Sequence, residues 1–171
     1  PYVIFSQNIE RVGFVSSVEG SCQAKNNQLG RSSYPIIGNS IFNYDIISSS
    51  YDSYCEITFD DFATRIRIDG DTQIKLITDD YSRIIKIING SIFIESAKIK
   101  DKLYVQTLHN DIYIDNNKAW ISSSLLEDKV FSIDSQLNIY NNFINSEIVL
   151  TPLILYGIDK MGNVKSNYDF E

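Results

Sequence analysis

Apolar and polar positions along this chain alternate with a period of two, the spacing of a strand that buries one face. Runs of this kind cover Val12–Val18, Cys22–Ala24, Ile41–Ile47, Tyr54–Phe59, Thr64–Ile68, Gln73–Ile77, Ile84–Ile88, Ile92–Glu95, Leu103–Thr107, Ile112–Ile114, Ala119–Ser122, Val130–Ile133, Leu137–Tyr140, Ile148–Leu150 and Leu153–Gly157. They recur about every 8–12 residues, which predicts an all-β sandwich, barrel or short solenoid of many short strands with little or no helix. Two segments break the rhythm. Lys25–Tyr34 reads as a polar loop, and Ser122–Lys129 as a single helical turn.

Turn chemistry supports the strands. Asp69-Gly70 and Asn89-Gly90 each join two β-rich arms, and both dipeptides supply the positive-φ pair that a tight hairpin requires. Within RIIKIINGSIFIESAK (Arg83–Lys98), Ile85, Ile87, Ile92 and Ile94 form an inward set, while Lys86, Ser91 and Glu95 face out. The first residues, PYVIFSQ, end in a small-residue point near Ser6-Gln7 that resembles a processing site. Tyr2, Val3, Ile4 and Phe5 read as a strand that pairs within its own domain or with a neighbouring copy.

Composition narrows the function classes. The 171 residues fit one domain, and a composition 43% hydrophobic and 12% aromatic argues for a folded core. A formal net charge of −7 disfavours nucleic acid and anionic membrane surfaces, both of which demand a basic face. No apolar run approaches the roughly 20 residues needed to cross a bilayer, so membrane insertion is not expected. Cys22 and Cys55 are the only cysteines; each lies in a predicted strand, and the pair is a candidate disulfide with two small buried hydrophobes as the alternative.

Several segments in order resemble the FecR domain, an extracytoplasmic all-β module. VGFVSSVEG (Val12–Gly20) is similar to the family's opening Gly-x-Val-x-x-Val-x-Gly strand. IIGNSIFNYDIISSS (Ile36–Ser50) follows, with Gly38 and Asp45 in register, and then YCEITFDDFATRIRIDGDTQIKL (Tyr54–Leu76). IIKIINGSIFI and LYVQTLHNDIYIDNNKAWIS (Leu103–Ser122) match the glycine-containing hairpin and the closing strand pair. The resemblance spans roughly Val12 to Ile133. Departures are Asn39 for a usual Asp, Phe62 for a turn Gly, and Asn117-Lys118 for a common Gly-Thr.

The resemblance implies a FecR-like domain over 12–146, flanked by an N-terminal extension at 1–11 and C-terminal strands over 147–171 on the same domain. It implies a periplasmic or extracellular location in the cell envelope and a sensing or scaffolding role. The family's anti-sigma regulators carry a cytoplasmic segment and a membrane helix, neither of which is recognisable here. The expectation is therefore a stand-alone, non-enzymatic binding or structural assembly module that works through strand edges. Its partner is expected to be a protein, including itself as a homo-oligomer or filament. A periplasmic signalling module and a carbohydrate-binding module are the alternatives.

Catalytic chemistry is sparsely provided. His109 is the only histidine, no Gly-x-Ser-x-Gly elbow accompanies it, and Glu56 alternates with Cys55 and Ile57 as an outward strand residue. A zinc site would need more Cys and His at closer spacing. Asp60, Asp61, Asp69, Asp71, Asp79 and Asp80 lie at strand ends where calcium would be possible, but match no EF-hand loop. The expectation is no catalytic residues, no metal and no cofactor. Tyr44, Tyr51, Tyr54 and Trp120 are candidates for an exposed aromatic surface that takes a glycan or a protein.

Overall fold

The computed structural model describes residues 9–166, and these form seventeen strands and no helix. The first eight are β1 (Arg11–Glu19), β2 (Cys22–Asn26), β3 (Arg31–Ser33), β4 (Ser40–Phe42), β5 (Ile46–Ser49), β6 (Tyr54–Phe59), β7 (Thr64–Ile68) and β8 (Gln73–Thr78). The long β9 (Ser82–Ser96) lies at the middle. After it come β10 (Lys102–Gln106), β11 (Asn110–Ile114), β12 (Asn117–Ser123), β13 (Glu127–Ser132), β14 (Leu137–Asn141), β15 (Ser146–Leu150), β16 (Leu155–Asp159) and β17 (Val164–Ser166). The expected Tyr2–Phe5 strand lies outside the described residues.

Strand pairing builds two layers around β9. One runs β4-β1-β6-β7-β9-β12-β13-β16-β17. The other runs β3-β2-β5-β8-β9-β10-β11-β14-β15. Among the described residues only β9–β10 is parallel. Because β9 belongs to both layers, the pairing is continuous through all seventeen strands.

The inward residues of both layers meet in one core. Ile57, Ile66, Ile92, Ile94 and Ile121 come from the first layer, and Ile47, Ile74, Leu76, Ile85 and Val105 from the second. Isoleucine and valine suit a pleated surface covered on one side, and each such side chain removed from water contributes about 1.5–3 kcal/mol. The inward set Ile85, Ile87, Ile92 and Ile94 is found as expected.

Asn89-Gly90 is not a hairpin turn. Residues before it pair with β8 and β10, residues after it with β7 and β12, so the strand passes from one layer to the other at Gly90, whose φ is 93°. A hairpin would have set Phe93 opposite Lys86; instead Phe93 faces Arg67 and Trp120. Asp69-Gly70 is likewise no hairpin. It carries the chain from β7 in one layer to β8 in the other, and the positive φ of 52° falls on Asp71.

These crossings stack into a column of small and polar residues. Ser50 N–H donates to Ser21 O (2.9 Å) and Asp71 N–H to Ser50 O (3.3 Å). Thr72 Oγ1 donates to Ser91 O (3.1 Å) and accepts from Ser91 N–H (2.9 Å). Backbones approach so closely here that a Cβ on Gly70 would lie 1.9 Å from Tyr51 O.

Other boundaries shift for local reasons. Ile41–Ile47 divides into β4 and β5 because Tyr44 takes φ 68° and the chain changes layer. The polar loop Lys25–Tyr34 contains β3. Ser122–Lys129 is a turn between β12 and β13 and not a helical turn: the pairing continues to Ser123–Asp128, and Ser124 Oγ accepts the N–H groups of Leu126 and Glu127 at 3.3 Å. Phe62 sits at φ 57°, a conformation glycine adopts freely.

Two hairpins reuse one device. Asn26 Oδ1 accepts the N–H of Gln28 and Leu29, and its Nδ2 donates to the buried Asp45. Asn141 Oδ1 accepts the N–H of Phe143 and Ile144, and its Nδ2 donates to the buried Asn110. Both loops read Asn-Asn-x-apolar and close on a positive φ, at Gly30 and Asn145.

Candidate functional site

The outward positions of β10, β11 and β14 carry tyrosines. Tyr104 lies opposite Tyr113, and Asp111 opposite Tyr140. The Tyr104 and Tyr113 rings pack with centroids 5.5 Å apart and planes tilted by 49°, a favourable aromatic arrangement. Asp111 accepts a hydrogen bond from Gln106 Nε2 at 3.0 Å. Lys102, Asn138 and Glu147 complete a groove of about 620 Å³ across these strands. A neighbouring depression of about 380 Å³ shares Tyr113 and Asn138 and extends the groove toward Asp115 and Gln136. Desolvation first, then the Asp115 and Tyr104 charges, push the Tyr113 phenol above its ordinary range.

The four aromatics expected to form a surface do not make one platform. Tyr54 and Trp120 lie on the outer face of the first layer, separated by β7 and β9. Arg67 covers the Tyr54 ring at 4.5 Å, and Trp120 stands between Phe93 and Phe131 in a cross-strand row. Tyr44 occupies the β4–β5 turn beside Lys75, with Nζ 5.7 Å from the ring centroid. Tyr51 is exposed in the loop before β6. The grouping of Tyr104, Tyr113 and Tyr140 escaped the sequence reading. Its signal was present in LYVQ, NDIYI and LNIYN, where tyrosine takes positions that alternation assigns to the outside.

Several of the candidate chemical groups are taken up in hydrogen bonds or ion pairs. Glu56 accepts from Ser16 Oγ (2.9 Å) and lies 3.6 Å from Arg65. Asp60 pairs with Arg11 at 2.9 Å, Asp61 with Arg83, and Asp69 with Arg67 at 3.5 Å. Asp79 caps its own turn, and the backbone hydrogen bond from Tyr81 is the largest influence lowering its carboxyl below the ordinary range. His109 lies in the β10–β11 turn, and its buried Nε2 has no hydrogen-bond partner among the described residues. Among the described residues no group of three His, Cys, Asp or Glu is placed to hold a metal ion, and no helix is long and apolar enough to cross a membrane.

Cys22 on β2 and Cys55 on β6 are free, buried thiols, close enough that each influences the other's ionisation. The Cys55 thiol is pushed up to about 12, by burial first and then by Cys22. Reduced, folded protein should therefore resist iodoacetamide at mildly alkaline pH and take up two adducts once unfolded in urea, measured by intact mass. Labelling of the folded chain would contradict this packing. Because the unfolded thiol ionises near 9.0, the stability it contributes is complete below that pH and falls as pH rises toward about 12. Cys55→Ala should flatten that alkaline decline.

No family model and no curated protein matches this chain. Two solved structures of a "putative anti-sigma factor" from Parabacteroides distasonis do, with TM-scores of 0.62 and 0.61 at 14% identity. Each likeness covers 71% of this chain and 58% of that one, so the chain spans little more than half the length of the protein it matches. The chain therefore has an all-β fold similar to that of the anti-sigma factor structures, and at this identity the likeness is one of fold alone.

Proposed function

We propose that this chain is a FecR-type signalling module that works outside the cytoplasm and recognises a partner without catalysing a reaction. The observation that carries the reading is the likeness of fold to the anti-sigma factor structures at a TM-score of 0.62. The order of the FecR-like segments from Val12 to Ile133 supports it independently. Among the described residues the carboxylates and the histidine supply no matched acid, base and nucleophile in one cleft, which favours binding over chemistry.

Removing the coding segment from its host and sequencing transcripts tests the proposal. A signalling module should change a coherent set of genes that share one promoter type. An unchanged transcriptome, with an altered cell surface seen by electron microscopy, would overturn it in favour of structural assembly.

Assembly through strand edges remains the second reading, and one feature favours it. Among the described residues β15 pairs only with β14, and Val149 on it is 58% exposed. An open edge of this kind is a template for a strand from a second copy.

A further inference from the structure

The groove on the outer face of the second layer has a composition that neither the fold likeness nor strand pairing explains. Its three tyrosines, Tyr104, Tyr113 and Tyr140, lie among Asp111, Asn138 and Glu147, so apolar ring surface and planar hydrogen-bonding groups alternate within one concavity. A volume of about 620 Å³ is within the range of small-molecule sites.

Backbone recognition is closed over most of the groove. β10 pairs with β9 and β11, β11 with β10 and β14, and β14 with β11 and β15. Glu147 alone comes from β15, whose outer edge is open among the described residues, so a ligand lying over β10, β11 and β14 gains no main-chain ladder and is recognised by side chains. Among the described residues Lys102 is the one cation in the lining, and Asp111 and Glu147 with the neighbouring Asp115 outnumber it, which disfavours phosphate and nucleic acid. A ligand suited to this surface presents flat C–H faces to aromatic rings and hydroxyls around its perimeter to carboxylates and amides. A neutral sugar ring has that two-sided character. The second depression, sharing Tyr113 and Asn138, lengthens the site beyond one ring.

We infer that the Tyr104–Tyr113–Tyr140 groove binds a neutral oligosaccharide, with the tyrosines as stacking surface and Asp111, Asn138 and Glu147 as hydroxyl partners. The site is separate from the signalling reading and survives its failure, because sugar binding is measured on the isolated full chain and signalling on host transcripts.

Isothermal titration of the full chain with linear hexasaccharides of glucose, xylose, mannose and N-acetylglucosamine provides the test. At least one should bind saturably. Tyr113→Ala should weaken that binding about tenfold or more, as truncation of a central aromatic contact does, whereas Tyr104→Phe should retain most of it. Trp120→Ala, on the opposite layer, should leave it unchanged. Circular dichroism checks folding, and the exposed Asn138→Ala serves as a second variant if Tyr113→Ala does not fold. Absence of saturable binding to all four probes would overturn the inference. So would binding that survives both groove variants, or that Trp120→Ala abolishes.

Discussion

Gly90→Ala is expected to destabilise the domain by about 4 kcal/mol or more, a large part of the stability of a chain this size. An added Cβ would lie 2.3 Å from Thr72 Oγ1 and 2.6 Å from Thr72 Cα, on a residue whose φ is 93°. The second contact is backbone and cannot rotate away. Thr72 is itself fixed, bonded to both the N–H and the carbonyl of Ser91. Gly30→Ala is the matched control: φ is 62° there, but nothing lies within 4 Å of the added carbon, so the cost should be about 1 kcal/mol of backbone strain. Urea midpoints followed by circular dichroism separate the two. Equal midpoints would mean that the strand does not cross between layers at Gly90.

Asp128→Ala should cost about 3–5 kcal/mol, through donors abandoned in the core. Asp128 is fully buried, and among the described residues none of its hydrogen-bond partners is a cation. Its Oδ2 accepts from Thr107 Oγ1 and from Asn110 Nδ2 (2.6 Å), and its Oδ1 accepts from Ser123 Oγ (2.7 Å). Asn110 in turn accepts from Asn141 Nδ2 at 2.9 Å, so one carboxylate ties three hairpin ends together. Asp128→Asn keeps one acceptor oxygen and should cost distinctly less than Ala. Urea unfolding of both variants, with hydrogen exchange at the Thr107–Asn110 turn, checks the ranking. If Ala and Asn melt alike, the carboxylate is not the hub.

Much of the strand content could be read from residues because a half-buried sheet imposes its period on the side chains. Ile85 and Ile87 fall on one phase and Ile92 and Ile94 on the other, and the change of phase at Asn89-Gly90 was visible. Its meaning was not. A hairpin and a layer crossing both need a residue tolerant of positive φ, and the choice depends on which strands offer free edges to the two arms. Those edges belong to β7, β8, β10 and β12. The thiols show the same limit. Alternation put Cys22 and Cys55 inside, but their nearness follows from β2 and β6 lying in different layers around one shared core.

The tyrosine groove was partly written in the chain. Outward Tyr104 and Tyr113 are near in sequence and meet because β10 and β11 form a hairpin. Tyr140 joins them only because β14 pairs with β11 over the intervening β12–β13 hairpin, which packs in the other layer.

The amino-acid order alone determined that this protein is built of short strands, which faces of them are buried, and that its surface is acidic. Local alternation is sufficient for that, since each side chain's exposure follows from its place in the pleat. The tertiary structure decided where the strands change layer, which asparagines and aspartates close the corners, and which tyrosines share one groove. Those outcomes depend on pairings between distant segments, and neighbouring residues carry no information about a partner strand far along the chain.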